Sequence, residues 1–251
     1  MWRIVGRSAW HAVLFAWGLS LIFPPTELMA GTPASSVGRA DQPFGLSTSR
    51  VTTGTLLEKW LDVEHEVDDD RRVLRLCDQD RASCRSRTAL RFLAIVDGAR
   101  NLQGRARLGE INRAINLTIK PMSDLALYGA EDVWSPPLAT LARGAGDCED
   151  YAIAKFVALQ EAGVSADDLR IVILRDDIRD EDHAVVAARL DGNWLMLDNL
   201  HMAMAGDQQV RDYYRPIFLI DRDGVERYSG ASSASGGAAR GNERAVGQIL
   251  H

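Results

Sequence analysis

The chain has 251 residues, 46% of them hydrophobic and 25% charged, which suits one globular domain of moderate size with short appendages. Its formal net charge of −6 argues against nucleic acid or an anionic membrane surface as the main partner. Lysine occurs only at Lys59, Lys120 and Lys155, and the arginines form no stripe, so the basic residues mark a compositional bias.

Arg3 and Arg7 precede an apolar run over residues 12–23, "AVLFAWGLSLIF", closed by Pro24 and Pro25. A positive start, a short apolar core and small residues after it describe an export signal over residues 1–30, with cleavage after Ala30 or Ala34. The run falls short of the roughly 20 residues of a membrane span, and an uncleaved anchor is the alternative. The mature chain is therefore expected outside the cytoplasm. There Cys77 and Cys84 could form a local disulfide, a pairing that spacing alone does not decide. Either way Cys148 is left over as a candidate free thiol.

Residues 31–50 are rich in Gly, Ser, Thr and Pro and read as a linker. A domain over residues 51–228 follows. Leu57, Trp60, Leu61, Val63 and Val67 recur at helical spacing, predicting a helix over 56–77, with further helices over 88–99 and 108–119. The "WSPPL" stretch at 134–138 is extended or turned, because each proline pushes its predecessor out of helix. From Cys148 the pattern is helical again, with Ala152, Ile153, Phe156, Val157 and Gln160 on one stripe and Gly163 as the stop. Strands follow over 169–175, 183–190 and 193–200, the last two joined by Asp191-Gly192, a hairpin signal. Two more strands over 217–221 and 225–228 flank Asp223-Gly224. Residues 229–251 form a low-complexity tail.

The chemistry concentrates at "AGDCEDY", residues 145–151, where Cys148 stands between Asp147, Glu149 and Asp150. Acids beside a thiol hold its proton on, whereas a helix start favours the thiolate. A nucleophilic cysteine also needs a base held by a third group. In a two-residue hairpin loop Leu190 pairs with Asn193, which puts His183 and Asp198 on one face as diagonal neighbours, roughly 7–8 Å apart at Cα. That register excludes Asn199 as the partner, and His201 is the fallback base only if the register slips. The order is then a nucleophile at a helix start, a base on one strand and an orienting carboxylate on the next. The Cys148 N–H is the candidate oxyanion donor. The alternative reading of Cys148 is a buried packing residue. For Asp147 the alternative is a helix cap, with Glu149 and Asp150 favouring the helix dipole.

The blocks "GAGDCEDYAIAKFVALQEAGV", "DHAVVA" and "LMLDNL" resemble the bacterial transglutaminase-like cysteine proteinases, in particular the LapG-type periplasmic adhesin proteases. The similarity runs over about residues 112–218, and Trp134, the proline pair and residues 140–146 resemble the segment before that family's cysteine. The resemblance implies an α+β, papain/transglutaminase-like core, with a helical N-terminal half packed on an antiparallel sheet. It implies a triad of Cys148, His183 and Asp198, and cleavage of a large surface adhesin near an N-terminal Ala-Ala pair, releasing biofilm cells. It also implies Ca2+ held by Asp147 and Glu149, with Asp150 as a third candidate, oxygen ligands being what calcium prefers. An inner-membrane cyclic-di-GMP receptor is the implied inhibitory partner, touching Trp134, which on general grounds is as well placed to be a core aromatic.

The acidic run over residues 176–182 departs from the family pattern. It reads as a solvated turn, with a second cation or altered substrate preference as the alternatives. Asn116-Leu117-Thr118 fits a glycosylation pattern too short to weigh. Two other functions share these residues: acyl transfer to an amine by the same triad, and a non-catalytic calcium-responsive module in which Cys148 packs.

Overall fold

The computed structural model describes residues 42–230, so the expected export signal, most of the expected linker and most of the expected tail lie outside the described residues. A strand, β1 (Thr48–Arg50), precedes three helices: α1 (Thr55–Gln79), α2 (Arg87–Arg100) and α3 (Gly104–Thr118). Next come β2 (Lys120–Pro121), α4 (Asp124–Tyr128), α5 (Pro137–Arg143), β3 (Ala145–Gly146) and α6 (Cys148–Glu161). The rest is β4 (Leu169–Asp176), β5 (Glu181–Leu190), β6 (Asn193–Leu197), β7 (Ala205–Gly206), α7 (Asp207–Val210), β8 (Tyr214–Asp221) and β9 (Gly224–Tyr228). Seven strands form one sheet in the order β1-β9-β8-β4-β5-β6-β7, every pairing antiparallel. Strands β2 and β3 make a separate parallel pair.

Local chemistry sets the helix ends. The buried positions of α1 (Leu56, Trp60, Val63, Val67, Leu74, Cys77) recur three, four or seven residues apart, one stripe of a 3.6-residue helix. The Ser86 hydroxyl caps α2 by accepting from the Ala89 N–H at 3.1 Å. Pro137 opens α5, where its missing N–H costs nothing, and Gly144 closes it in the left-handed region at φ 73°. Helix α6 differs from the single stripe expected of it: every residue from Glu149 to Leu159 is buried. It is the central helix, packed between the other helices and the sheet.

Both faces of the sheet are covered. Alternate residues of each strand, among them Ile171, Ile173, Ala184, Val186, Leu195, Leu197, Phe218 and Ile220, pack with the helices in one core. The others, including Val172, Leu174, Val185, Ala187, Met196 and Leu219, form a second core with Phe44, Val210, Tyr214 and Tyr228. The predicted hairpin register holds: Leu190 pairs with Asn193, and Asp191 (φ 50°) and Gly192 (φ 78°) make the turn.

The linker expected over residues 31–50 needs correction at its end. Residues 43–45 form a 3-10 turn with Phe44 buried, its N–H donating to Asp207 Oδ2 at 2.7 Å, and β1 pairs with β9 from Thr48↔Tyr228 to Arg50↔Glu226. The Gly/Ser/Thr/Pro composition concealed a strand whose partner lies almost at the other end of the domain.

Candidate functional site

Cys148 is the first residue of α6 and is half-buried. The β2–β3 pair, with Pro121 opposite Gly146, brings residues 121–123 alongside the segment leading to the cysteine. Gly146 has no room for a side chain, because a Cβ there would collide with the Asp150 side chain. A cleft of about 290 Å3 runs past the thiol, lined by Pro121, Met122 and Ser123 and by Asp182, His183 and Asn199.

His183 and Asp198 emerge on the same face, as the hairpin register requires, and His183 Nε2 lies 3.0 Å from Asp198 Oδ1. Both are buried. Asp198 Oδ1 also accepts from the Leu200 N–H at 2.9 Å, and its Oδ2 accepts from the Tyr214 hydroxyl at 2.6 Å. Burial works to raise the Asp198 pKa, but the hydrogen bond and charge of His183, with the two further donors, outweigh it and hold the carboxyl well below the usual range. An ionised Asp198 accepts only, so the imidazole proton sits on Nε2 and Nδ1 is left with its lone pair.

Tyr214 was missed in the sequence. The register between β4 and β8 shifts by one residue, from Ile173↔Phe218 to Leu174↔Pro216, leaving Ile217 as a bulge. Strict alternation from Phe218 would send Tyr214 to the helix-covered face. The bulge re-aims it onto the face of Leu174 and His183, its ring centroid 6.1 Å from that of His183.

The thiol side is different in kind. Asp124, Asp147 and Glu149 each offer a carboxylate oxygen within 4.8 Å of the others. Asp147 does not cap α6: its side chain makes no cap hydrogen bond, and its Oδ2 instead accepts from the Asp124 N–H at 3.3 Å. Asp150, the third ligand candidate from the sequence, lies outside this group and accepts from the Ser135 N–H at 3.0 Å. Asp124 joins Asp147 and Glu149 instead, brought near them by the β2–β3 pairing from a segment with no local signal.

Four buried carboxylate oxygens, Asp124 Oδ1, Asp147 Oδ1, Glu149 Oε1 and Asp150 Oδ2, have no hydrogen-bond partner among the described residues. Burial first, with repulsion from neighbouring carboxylates adding to it, pushes these groups up: Asp124 to about 6, Asp150 to about 8, Glu149 well above the usual range and Asp147 in the same direction, its repulsion coming from Asp132. The Cys148 thiol donates to Glu149 Oε2 at 3.4 Å. Its pKa is driven well up by burial and by the charges of Glu149 and Asp147, against the pull of the Ala184 N–H on the sulfur. No hydrogen bond joins Cys148 to His183 among the described residues. Orphaned, oxygen-only donors of this kind suit a hard cation such as calcium.

Cys77 and Cys84 are joined in a disulfide. Trp134 is half-buried against the helical core, its Nε1–H donating to Asp132 Oδ1 at 2.9 Å. The acidic run is the β4–β5 turn: Asp176 Oδ1 accepts from the N–H groups of Ile178 (3.0 Å) and Arg179 (3.2 Å). Arginines pair with it, Arg175 with Asp182 at 3.3 Å and Arg215 with Asp177 at 2.6 Å. The Asn116 amide is engaged with the Asp198 carbonyl at 2.9 Å, an inward role rather than that of a glycan acceptor. His201 is exposed and lies outside the His183–Asp198 pair.

Residues 71–215 match the model of the family described as bacterial transglutaminase-like cysteine proteinase. No curated protein matches the chain. Among solved structures, Legionella pneumophila LapG is 22% identical and aligns over 71% of this chain and 92% of its own, with a TM-score of 0.51. Its calcium-bound form is 24% identical over 68% and 93%, also at 0.51, and its EGTA-treated form is 22% identical over 71% and 92%, at 0.52. At these identities the structural likeness establishes the fold, a transglutaminase-like mixture of helices and antiparallel sheet. The family match spans more than half of the sequence, and the chain belongs to the bacterial transglutaminase-like cysteine proteinases.

Proposed function

We propose that the chain is a calcium-dependent cysteine endopeptidase with Cys148 as nucleophile, His183 as general base and acid, and Asp198 as orienter. The observation that carries this is the buried His183–Asp198 hydrogen bond of 3.0 Å, with His183 and Cys148 both lining the same cleft. Sγ attacks the scissile carbonyl carbon while His183 Nδ1 takes the thiol proton. The same proton goes to the leaving amine as the C–N bond breaks, leaving a thioester, and His183 then deprotonates the water that hydrolyses it. Asp198 fixes the tautomer and favours the imidazolium, and the Cys148 N–H, at the helix start where no intrahelical acceptor faces it, is the oxyanion donor. Calcium would be held by Asp124, Asp147 and Glu149, where its charge would neutralise the acids around the thiol and occupy the carboxylate that now accepts the thiol proton.

The finer reading rests on the family resemblance of the three sequence blocks. The substrate is the N-terminal region of a large surface adhesin, cut near an Ala-Ala pair to release biofilm cells. The setting is the periplasm, which the Cys77–Cys84 disulfide supports. The inhibitory partner is an inner-membrane cyclic-di-GMP receptor, with Trp134 as its contact. The test is to incubate such an adhesin fragment with the wild type and Cys148→Ala, each with calcium and with chelator, and to weigh the products. Two fragments formed only by the wild type with calcium are expected. Amine adducts in their place would make it an acyl transferase, and a fragment cut equally by the Ala variant would remove Cys148 from the chemistry.

A further inference from the structure

Helix α6 carries a buried cation that this scheme leaves unused. Lys155 follows Cys148 by seven residues, two turns along the helix, and so lies on the same face. The residue is 1% exposed. Its one hydrogen bond is from Nζ to the Leu197 carbonyl at 3.2 Å, and among the described residues no carboxylate forms an ion pair with it. The Tyr151 ring lies 5.9 Å away, and the charge of Asp198 acts on Lys155 without pairing with it.

Lysine is almost never fully buried without an ionic partner. Burial lowers the pKa of Lys155 to about 7, a measure of what this environment costs the charged form. Packing does not call for it, since an apolar chain of similar length would fill the space without that cost. What an apolar chain could not do is grip Leu197. That residue ends β6 and immediately precedes Asp198. Other donors hold the same short segment: the Asn116 amide on the Asp198 carbonyl, and, from the opposite face of the sheet, the Tyr214 hydroxyl on the Asp198 carboxylate. Lys155 is the donor among them that comes from the helix bearing the cysteine.

We propose that Lys155 is a positioning residue for the reaction: through the Leu197 carbonyl it fixes α6 against the end of β6, keeping Cys148 in register with His183 and Asp198. This rests on the triad reading. Misplacement of reacting groups by about 1 Å can cost on the order of a hundredfold in rate, so a single contact linking the two elements is enough to matter.

The test uses Lys155→Met, which keeps the chain length and removes the donor, with His183→Ala alongside, all in calcium. Cys148 is the one free thiol, so its alkylation by iodoacetamide at a single fixed pH reports its reactivity without a substrate. Thermal unfolding and the downfield proton resonance of His183 Nε2–H complete the set. The Met variant should unfold at or above the wild-type temperature, yet alkylate at least about tenfold more slowly, with the His183 resonance shifted or lost. Wild-type alkylation and resonance in the Met variant would overturn the proposal, and so would a joint loss of stability and reactivity, the mark of a lysine that only supports the fold. The His183→Ala arm separates the two readings. If it alkylates like the wild type, the triad reading fails; if it is slow while the Met variant is not, only the role of Lys155 fails.

Discussion

The base side and the thiol side of the cleft differ in how far protein atoms alone satisfy them. Asp198 has three donors on its two oxygens, from His183, Leu200 and Tyr214, and its pKa is held down. Across the cleft, Asp124, Asp147, Glu149 and Asp150 each bury an oxygen with no partner, and their pKa values are pushed up. A buried carboxylate oxygen without a donor is costly, and four such oxygens gathered around the start of α6 are left unsatisfied by the described protein atoms. One half is complete in protein atoms; the other, on the proposed function, is completed by the cation.

The comparison breaks most visibly if the two halves fail in the same way. Asp198→Asn keeps the shape of the base side but presents an amide where an ionised acceptor is needed. It should lower kcat by on the order of 10^4-fold, and no added calcium should restore it. Asp124→Ala attacks the conditional half: calcium affinity by calorimetry should fall by at least about tenfold, and activity should return in excess calcium. Unchanged affinity in that variant would remove Asp124 from the site. An Asp198→Asn enzyme rescued by calcium would show that the two halves are not independent.

How much of this was legible in the sequence follows the same division. The hairpin register came from two residues, Asp191 and Gly192, and it placed His183 beside Asp198 because strand alternation is rigid over such a short turn. Helices α1, α2 and α3 were legible because each buries one stripe. Asp124 was not, because it reaches Asp147 only through a two-residue parallel pairing that no periodicity announces. Tyr214 was hidden by the bulge at Ile217, which reverses the parity on which a strand reading depends. Lys155 passed unnoticed because α6 is buried on all sides, and a helix without a polar face gives no reason to single out one cation.

Tyr214→Phe sharpens the account of the base side with a smaller effect. Losing one hydrogen bond to a carboxylate that keeps two other donors should lower kcat/KM by about tenfold while the protein stays folded. An unchanged kcat/KM would show that the remaining donors hold Asp198 unaided.

The smallest effect is on stability, and its sign differs between the halves. A carboxylate whose pKa is raised in the folded state binds more protons there than in the unfolded chain, so stability falls as pH rises between the two values. With Asp124 at about 6 and Asp150 at about 8, the metal-free protein should unfold at a higher temperature at pH 5 than at pH 7. Asp198 has the opposite sign, its contribution being lost only as pH falls below the ordinary carboxylate range, so it stays silent in this window. Lys155, lowered to about 7, adds stability with rising pH only above that value. Asp70, raised to about 6, shares the sign of the acidic group but lies on α1, where it accepts from the Leu138 N–H at 2.7 Å, so its share should not respond to calcium. The informative quantity is therefore the part of the slope that calcium removes, measured by thermal unfolding at both pH values with chelator and with the ion. A slope identical in the two conditions would mean that the orphaned oxygens are not where the cation binds, and the conditional half of the site would lose its basis.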